Sequence, residues 1–202
     1  RRWFTLFSSV VLSTGALLPG AALAQSTEAP DVQIKRLSTE VLDTIRGDKD
    51  IQSGDTSKVI ALVDAKIMPS VNFTRMTSAA VGRGWRQATP EQQKRLQDEF
   101  KTLLVRTYSG ALAEVRDQHI VMKPLRAAAE DTEVVVRSEV KGRGDPIQLD
   151  YRMEKSANGW KIYDLNVLGV WLVETYRSQF AQEINASGID GLIAKLADRN
   201  KG

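Results

Sequence analysis

The side chains that most often carry catalysis are scarce in this sequence. It contains no cysteine, and its only histidine is His119. The lack of cysteine excludes a thiol nucleophile and a thiolate metal site. A metal site built on His119 would need several carboxylates at ligand spacing, and no such cluster appears. His119 stands at the start of a predicted strand, so we expect it to be structural or exposed.

The carboxylates and glycines also favour ordinary structural roles. Asp131, Asp145, Asp150 and Asp164 fall at predicted turns or on polar strand faces, where solvated carboxylates are expected. The segment Gly82-Arg83-Gly84 has no strand before it and no phosphate-binding lysine in register, so it indicates a turn rather than a nucleotide loop. No Gly-x-Ser-x-Gly motif occurs in the sequence. Catalysis is therefore the weaker class of function.

The start of the chain has the form of a secretory signal peptide. Arg1 and Arg2 precede an apolar run over residues 3–18, and Ala22-Leu23-Ala24 supplies small residues for cleavage. The alternative, a retained membrane anchor, is disfavoured because the run is short and interrupted by polar residues. We therefore predict a signal peptide over residues 1–24, cleavage after Ala24, export of a soluble mature protein, and a single domain over residues 25–202.

Net charge narrows the range of partners. The sequence carries a formal charge of +3, and removal of Arg1 and Arg2 would lower it to about +1. A nearly neutral surface argues against nucleic acid, because such binding depends on clustered cations. It also argues against tight adhesion to anionic membranes. Because disulfides are excluded, stability must come from a packed core.

The N-terminal half is predicted to be helical. Apolar residues recur at three- and four-residue spacing from Asp31 to Gly47, and again from a cap at Thr56 or Ser57 to Pro69. The sharpest helix start is Thr89-Pro90-Glu91-Gln92, which forms a capping box with proline at the first helical position. This long helix is expected to continue to about Arg116. Its apolar stripe contains Leu96, Phe100, Leu103, Leu104 and Thr107.

From Gln118 the apolar period changes from 3.6 to 2. Four strands are predicted, over residues 119–125, 133–141, 147–154 and 160–167, with a bulge near Tyr163-Asp164. A helical period returns after Gly169 and is broken at residues 185–188 before a short last helix. This order predicts an α+β fold, in which a four-stranded antiparallel meander is covered by N-terminal and C-terminal helices.

Packing of the helices on this sheet has two possible outcomes. The side chains either fill a solid core or line an apolar cavity between the sheet and the long helix, and composition does not separate the two. A cavity would suit a lipid, because burying about 30 acyl methylenes at about 0.8 kcal/mol each gives a gross driving force of about 25 kcal/mol. The predicted lining is Val71, Phe73, Phe100, Leu103, Leu104, Tyr108, Ile147, Leu149, Tyr151, Val167 and Val170.

The most specific motif of the sequence precedes and opens the long helix. Met68-Pro69-Ser70-Val71-Asn72-Phe73, followed by Gly-Arg-Gly-Trp-Arg-Gln-Ala-Thr-Pro-Glu-Gln at residues 82–92, resembles the MlaC family, also named for toluene tolerance (Ttg2). Shorter similar blocks follow in order at residues 108–112, 149–151, 158–164 and 188–192. Each block is short, but their shared order is specific and extends over nearly the whole predicted mature chain.

This resemblance implies a fold and a function. The implied fold is an NTF2-like cone extended by helices, with acyl tails inside an apolar cavity and the head group near solvent. The implied function is that of a monomeric periplasmic carrier, with a phospholipid as cargo and no cofactor. Its implied partners are an outer-membrane lipoprotein–porin complex and an inner-membrane ABC transporter, and its implied role is to maintain outer-membrane lipid asymmetry.

By position, the resemblance places Tyr108, Ile147 and Val170 in the cavity wall. The chain also departs from the family pattern after the fourth predicted strand. The family commonly has Glu-Gly-Val-Ser there, whereas this chain has Leu168-Gly169-Val170-Trp171. Replacement of a carboxylate by leucine and of a serine by tryptophan is expected to change the rim of the cavity.

Two other functions remain open from the sequence. One is an enzyme that uses the same cone for a small apolar substrate, for which the predicted inward faces offer only Tyr108 and Tyr151 as ionisable groups. The other is a periplasmic adaptor that has a filled core and binds only proteins.

Overall fold

A computed structural model describes residues 28–201 of the chain. Its helices are α1 (Pro30–Gly47), α2 (Lys49–Gln52), α3 (Thr56–Leu62), α4 (Phe73–Val81), α5 (Arg83–Gln87), α6 (Pro90–Ala113) and α7 (Leu172–Arg199). Its strands are β1 (His119–Met122), β2 (Glu133–Lys141), β3 (Ile147–Ser156), β4 (Gly159–Val167) and β5 (Val170–Trp171). The predicted signal peptide, residues 1–24, lies outside the described residues.

The order of elements confirms the predicted α+β fold. The strands form one antiparallel sheet in the order β1-β2-β3-β4-β5, so the predicted four-stranded meander is present and gains a short fifth strand. The sheet is open rather than closed into a barrel. The description as an NTF2-like cone stays a prediction.

The second predicted helix is a composite. α3 passes into a π-helical turn at Val63–Ile67 and a 3-10 turn at Met68–Ser70. The carboxylate of Asp55 accepts hydrogen bonds from the backbone N–H groups of Ser57 and Lys58, so Asp55 caps α3 in place of the predicted Thr56 or Ser57.

The start of α6 follows directly from its sequence. The Thr89 hydroxyl accepts a hydrogen bond from the Gln92 N–H at 3.2 Å, and the Gln92 side chain accepts one from the Thr89 N–H at 2.9 Å. These two bonds confirm the predicted capping box. α6 ends at Ala113, three residues before the predicted end.

A bulge in β4 changes which side chains reach the core. Met153 of β3 lies opposite Ile162, but its neighbour Arg152 lies opposite Asp164, so Tyr163 is the extra residue. This confirms the predicted bulge. Beyond it, Leu165 pairs with Tyr151 and joins the face of the sheet that is directed toward the helices.

The bulge also fixes the start of α7. Asp164 is 1% exposed, and its carboxylate accepts hydrogen bonds from the N–H groups of Leu165 and Val173 and pairs with Arg152 at 2.9 Å. The Arg152 guanidinium also lies 3.9 Å from the centre of the Trp171 ring. Burial raises the pKa of the Asp164 carboxyl, whereas these hydrogen bonds and the Arg152 charge act in the opposite direction.

α4 is held against the edge of the sheet by a polar cluster. The Asn72 N–H donates to the Ile162 carbonyl at 2.8 Å, just before the helix begins. Within α4, Arg75 pairs with Glu154 and, at 2.7 Å, with Glu133, and it stacks on Tyr163 at 3.6 Å. Gly82, with φ of +65°, then ends α4 at the predicted glycine turn.

Candidate functional site

The core of the protein is divided into two buried clusters. The first, called the sheet cluster, lies between α1–α3 and the inner face of β2–β4 and includes Ile34, Val136 and Met153. The second, called the helix cluster, joins α4, α6 and α7 and includes Phe100 and Phe180. Among residues 28–201, Val71 and Leu165 pack against both clusters and are themselves only partly buried.

Aromatic packing makes the helix cluster compact. The Phe100 ring meets Tyr176 and Phe180 edge-on, with centroid separations of 5.0 and 5.2 Å. These are preferred aromatic geometries. Phe100 is 0% exposed, so this part of the interior is filled by protein.

Several incompletely buried apolar side chains of α6, β3 and β4 pack against one or both clusters. On α6 these residues stand four apart, which places them on one helix face. On β3 and β4 they share the inner face of the sheet, because Leu149 pairs with Val167 and Tyr151 with Leu165. This set, here called the apolar strip, consists of Leu104, Tyr108, Leu112, Leu149, Leu165 and Val167.

The arrangement of helices accounts for the incomplete burial. In the described part of the chain, α1, α4 and α7 are the helices that pack extensively and closely on the strands. α6 instead packs closely on α2, α3, α4 and α7. Val105 of α6 reaches the sheet cluster and is buried there, whereas the side chains of the apolar strip are only partly covered.

The two tyrosines of the predicted lining are both neutral at physiological pH. Burial raises the pKa of the Tyr108 hydroxyl, and the neighbouring Tyr176 raises it further. Burial also raises the pKa of Tyr151, although hydrogen bonds with the hydroxyls of Ser38 and Ser138 oppose the shift. Groups in this state add hydrogen-bonding capacity without charge.

Comparison with known proteins identifies the family. The family described as "MlaC protein" matches residues 35–198, which is most of the chain. The chain belongs to the MlaC family.

Two curated relatives are similar along most of their length. The toluene tolerance protein ttg2D of Pseudomonas putida is 25% identical over 184 residues, which cover 89% of this chain and 86% of that protein. The intermembrane phospholipid transport system binding protein MlaC of Haemophilus influenzae is 24% identical over 200 residues, which cover 97% of this chain and 92% of that protein.

A solved structure of a phospholipid-binding protein from Ralstonia solanacearum, in complex with a phospholipid, is more similar in sequence. It is 54% identical to this chain and superposes with a TM-score of 0.82. The match covers 85% of this chain and 96% of that one. The predicted resemblance is thereby confirmed.

The structure distributes the eleven predicted lining residues over three environments. Phe100, Leu103 and Tyr151 are buried within the two clusters. Ile147 and Val170 are exposed at the end of the sheet. The other six are partly buried next to one or both clusters: Val71, Phe73, Leu104, Tyr108, Leu149 and Val167. Their role in binding stays a prediction.

Two residues of the apolar strip, Leu112 and Leu165, are absent from the predicted lining. Leu112 follows Tyr108 by four residues, so its place on the same helix face was available from spacing alone. Leu165 reaches the inner face only because Tyr163 forms the bulge. Simple alternation from Trp160 would assign Leu165 to the opposite face.

Two surface grooves lie elsewhere and contain none of the predicted lining residues. One, of about 470 Å³, lies between α1 and β1 and includes Val32 and Ile120. The other, of about 420 Å³, lies on the outer face of the sheet and includes Arg137 and Arg152.

The described residues lack the features of a metal site and of a membrane-spanning helix. Residues 28–201 contain no group of three or more histidine, aspartate or glutamate side chains placed to hold a metal ion. His119 is exposed at the start of β1, as predicted. None of the helices in this range is both long and apolar enough to cross a membrane.

Proposed function

We propose that this chain is a periplasmic phospholipid carrier that holds acyl chains between α6 and the inner face of the sheet. The observation that carries the proposal is the apolar strip, in which Tyr108 of α6 and Val167 of β4 are partly buried and pack against the same helix cluster. An apolar ligand between these side chains would complete their burial.

Similarity to a lipid-bound protein supports this choice of ligand. The Ralstonia protein holds a phospholipid and shares 54% identity with this chain across most of both sequences. At that level of identity, the same arrangement of elements and much of the same interior are expected. The cargo is therefore proposed to be a phospholipid rather than a small polar molecule.

The energetics require the tails to be enclosed. Transfer of about 30 methylenes from water is worth about 25 kcal/mol gross, at about 0.8 kcal/mol each. The same tails are already dry in a bilayer, so a carrier competes only if it encloses them nearly completely. Because the side chains of the apolar strip are only partly covered, enclosure would come from a shift of helices over the tails.

Two backbone breaks are proposed as the places where helices shift. Gly82 has a positive φ between α4 and α5, and Pro69 lies in the 3-10 turn before α4. Together they bound the helix that links the helix cluster to the sheet edge. Hydrogen exchange should show faster backbone exchange at these breaks in the lipid-free chain than in the lipid-bound chain. Equal protection in both states would refute the hinge.

We further propose that the carrier exchanges lipid with an outer-membrane lipoprotein–porin complex and an inner-membrane ABC transporter, and thereby helps to maintain outer-membrane lipid asymmetry. The chain's own work is transfer without covalent chemistry, and any ATP hydrolysis belongs to the transporter. The name of the Haemophilus relative, which places it in an intermembrane phospholipid transport system, supports this proposal. A monomer is the proposed state during transfer.

Native mass spectrometry of the chain purified without detergent tests the carrier function. Discrete adducts that extract into organic solvent as phospholipids are the expected result. If only the mass of the lipid-free protein is detected after incubation with lipid vesicles, the carrier function would be refuted. That outcome would favour the adaptor with a filled core or the enzyme that acts on a small apolar substrate.

A further inference from the structure

Three exposed apolar side chains stand together at one end of the sheet. Among residues 28–201, the large hydrophobic side chains with high exposure are Val32 at 52%, Ile147 at 38%, Leu168 at 64% and Val170 at 52%. The last three are adjacent. The Leu168 N–H donates a hydrogen bond at 3.0 Å to the carbonyl of Gln148, the residue next to Ile147, and Val170 of β5 pairs with Val167 of β4. Ile147, Leu168 and Val170 are here called the apolar tip.

The backbone at Leu168 is unusual. Leu168 has φ of +52° and Gly169 has φ of +88°, so the turn between β4 and β5 has two consecutive residues in the left-handed region. The first position of such a two-residue hairpin turn strongly favours asparagine, aspartate or glycine. Leucine neither suits this conformation nor gains burial here, so the fold explains neither its identity nor its place. An observed outlier of this kind points to a function outside the fold.

We propose that the apolar tip docks into an apolar recess of a membrane-associated protein partner that gives or receives the lipid. This inference rests on the proposed carrier function and names the contact through which that function operates. The apolar tip is continuous with the apolar strip, because Val167 pairs with both Leu149 and Val170. A partner seated on the tip would therefore adjoin the proposed path of the acyl chains.

The charges around the tip define the chemistry of its partner. Residues 165–173 contain no charged side chain, so this surface is complementary to an apolar recess that also lacks charge. One cation at the end of β2 and one in the turn that follows it each have an acidic partner: Lys141 with Glu139 at 3.3 Å and Arg143 with Asp117 at 3.4 Å. These two residues therefore do not add unpaired cations for anionic lipid head groups.

The size of the tip favours a protein over a bilayer. Three partly exposed side chains present fewer carbons than a myristoyl chain, which by itself gives only marginal membrane binding. Protein interfaces, in contrast, draw most of their binding energy from a few side chains. A contact as small as the tip can therefore contribute to a protein interface.

The test compares Leu168→Asn with Val32→Asn. Asparagine suits the turn, so Leu168→Asn should fold, and Val32→Asn removes an exposed apolar side chain of α1 that is not part of the tip. Bound lipid is measured by native mass spectrometry. The rate of lipid uptake is measured from membrane vesicles of the source cells, and from protein-free vesicles made of lipid extracted from the same membranes.

Leu168→Asn should keep its bound lipid and take up lipid from the native membranes about tenfold more slowly, which is the loss of one anchor of about 1.4 kcal/mol. Val32→Asn should retain the wild-type rate. Because the chain has no cysteine, Leu168→Cys can carry a single environment-sensitive fluorophore. Its emission should shift with native membranes and not with protein-free vesicles.

Several outcomes would overturn the proposal. An unchanged uptake rate for Leu168→Asn would show that the tip makes no productive contact. Loss of bound lipid from that variant would make Leu168 part of the lipid pocket instead. A fluorescence shift with protein-free vesicles would identify the bilayer as the occupant. A wild-type chain that carries no lipid would refute the proposed carrier function itself, a result distinct from the other three.

Discussion

Introduction of a charge into the apolar strip should expel the lipid. Tyr108 is partly buried against the helix cluster, and burial raises the pKa of its hydroxyl. In Tyr108→Glu, a carboxylate would face acyl chains instead of a neutral ring. An ionised carboxylate in a hydrocarbon environment costs on the order of 3 kcal/mol. That cost corresponds to a loss of about 100-fold in lipid affinity.

The assay is lipid occupancy by native mass spectrometry, with thermal unfolding as a check on folding. Ala111→Glu is the matched control, because Ala111 is exposed on the same helix and the variant adds the same charge. Tyr108→Phe should keep the lipid, since the ring rather than the hydroxyl forms the wall. If folded Tyr108→Glu retained lipid as the wild type does, the placement of acyl chains beside α6 would be refuted.

Three further predictions concern stability. Leu168→Gly should raise the free energy of unfolding, measured by urea titration, by about 1 kcal/mol, because glycine removes the cost of holding leucine in the left-handed backbone region. A loss of stability would show that Leu168 makes stabilising contacts. Arg75 lowers the pKa of Glu133, so that carboxylate contributes stability above its unfolded pKa and loses it as pH falls through the folded value. Glu133→Gln should therefore cost up to about 1 kcal/mol at pH 7 and progressively less as pH falls through the folded pKa of Glu133, and a cost independent of pH would contradict the ion pair. Asp164→Ala should lower the free energy of unfolding by about 2 kcal/mol, because it leaves the buried Val173 N–H without an acceptor. Asp164→Asn should retain most of the stability, because its amide oxygen can accept the same hydrogen bond. Equal losses of stability in the two variants would refute the capping role of Asp164.

Local signals in the sequence were sufficient for most of the fold. The α6 capping box uses atoms three residues apart, and the alternation in β2 and β3 reflects one wet and one covered face. The break at Gly188, where φ is +73°, interrupts α7 at the place where the sequence predicted two helices. In each case the decisive interaction lies within a few residues of its signal.

β5 escaped prediction because its local signals are weak. β5 consists of Val170 and Trp171, too few residues for a periodic pattern, and its turn contains Leu168 where a hairpin signal would have asparagine or glycine. The Asn166 side chain accepts a hydrogen bond from the Gly169 N–H at 2.8 Å within this turn. A strand of two residues after an atypical turn leaves no pattern from which to predict it.

The candidate site was predicted less completely because its burial depends on partners that are distant in sequence. Phe100 and Leu104 both belong to the apolar stripe of α6, yet Phe100 is enclosed by α7 and Leu104 is only partly buried. The difference arises from which element covers each side chain, and a helical period carries no such information. The sequence therefore identified the apolar residues near the site but not the subset left uncovered.

A crystal structure of the chain, purified together with its bound lipid, would test the central claim most directly. Acyl-chain density between Tyr108 of α6 and Val167 of β4 is the predicted result. Density confined to the groove between α1 and β1, beside Val32 and Ile120, would contradict the proposed site.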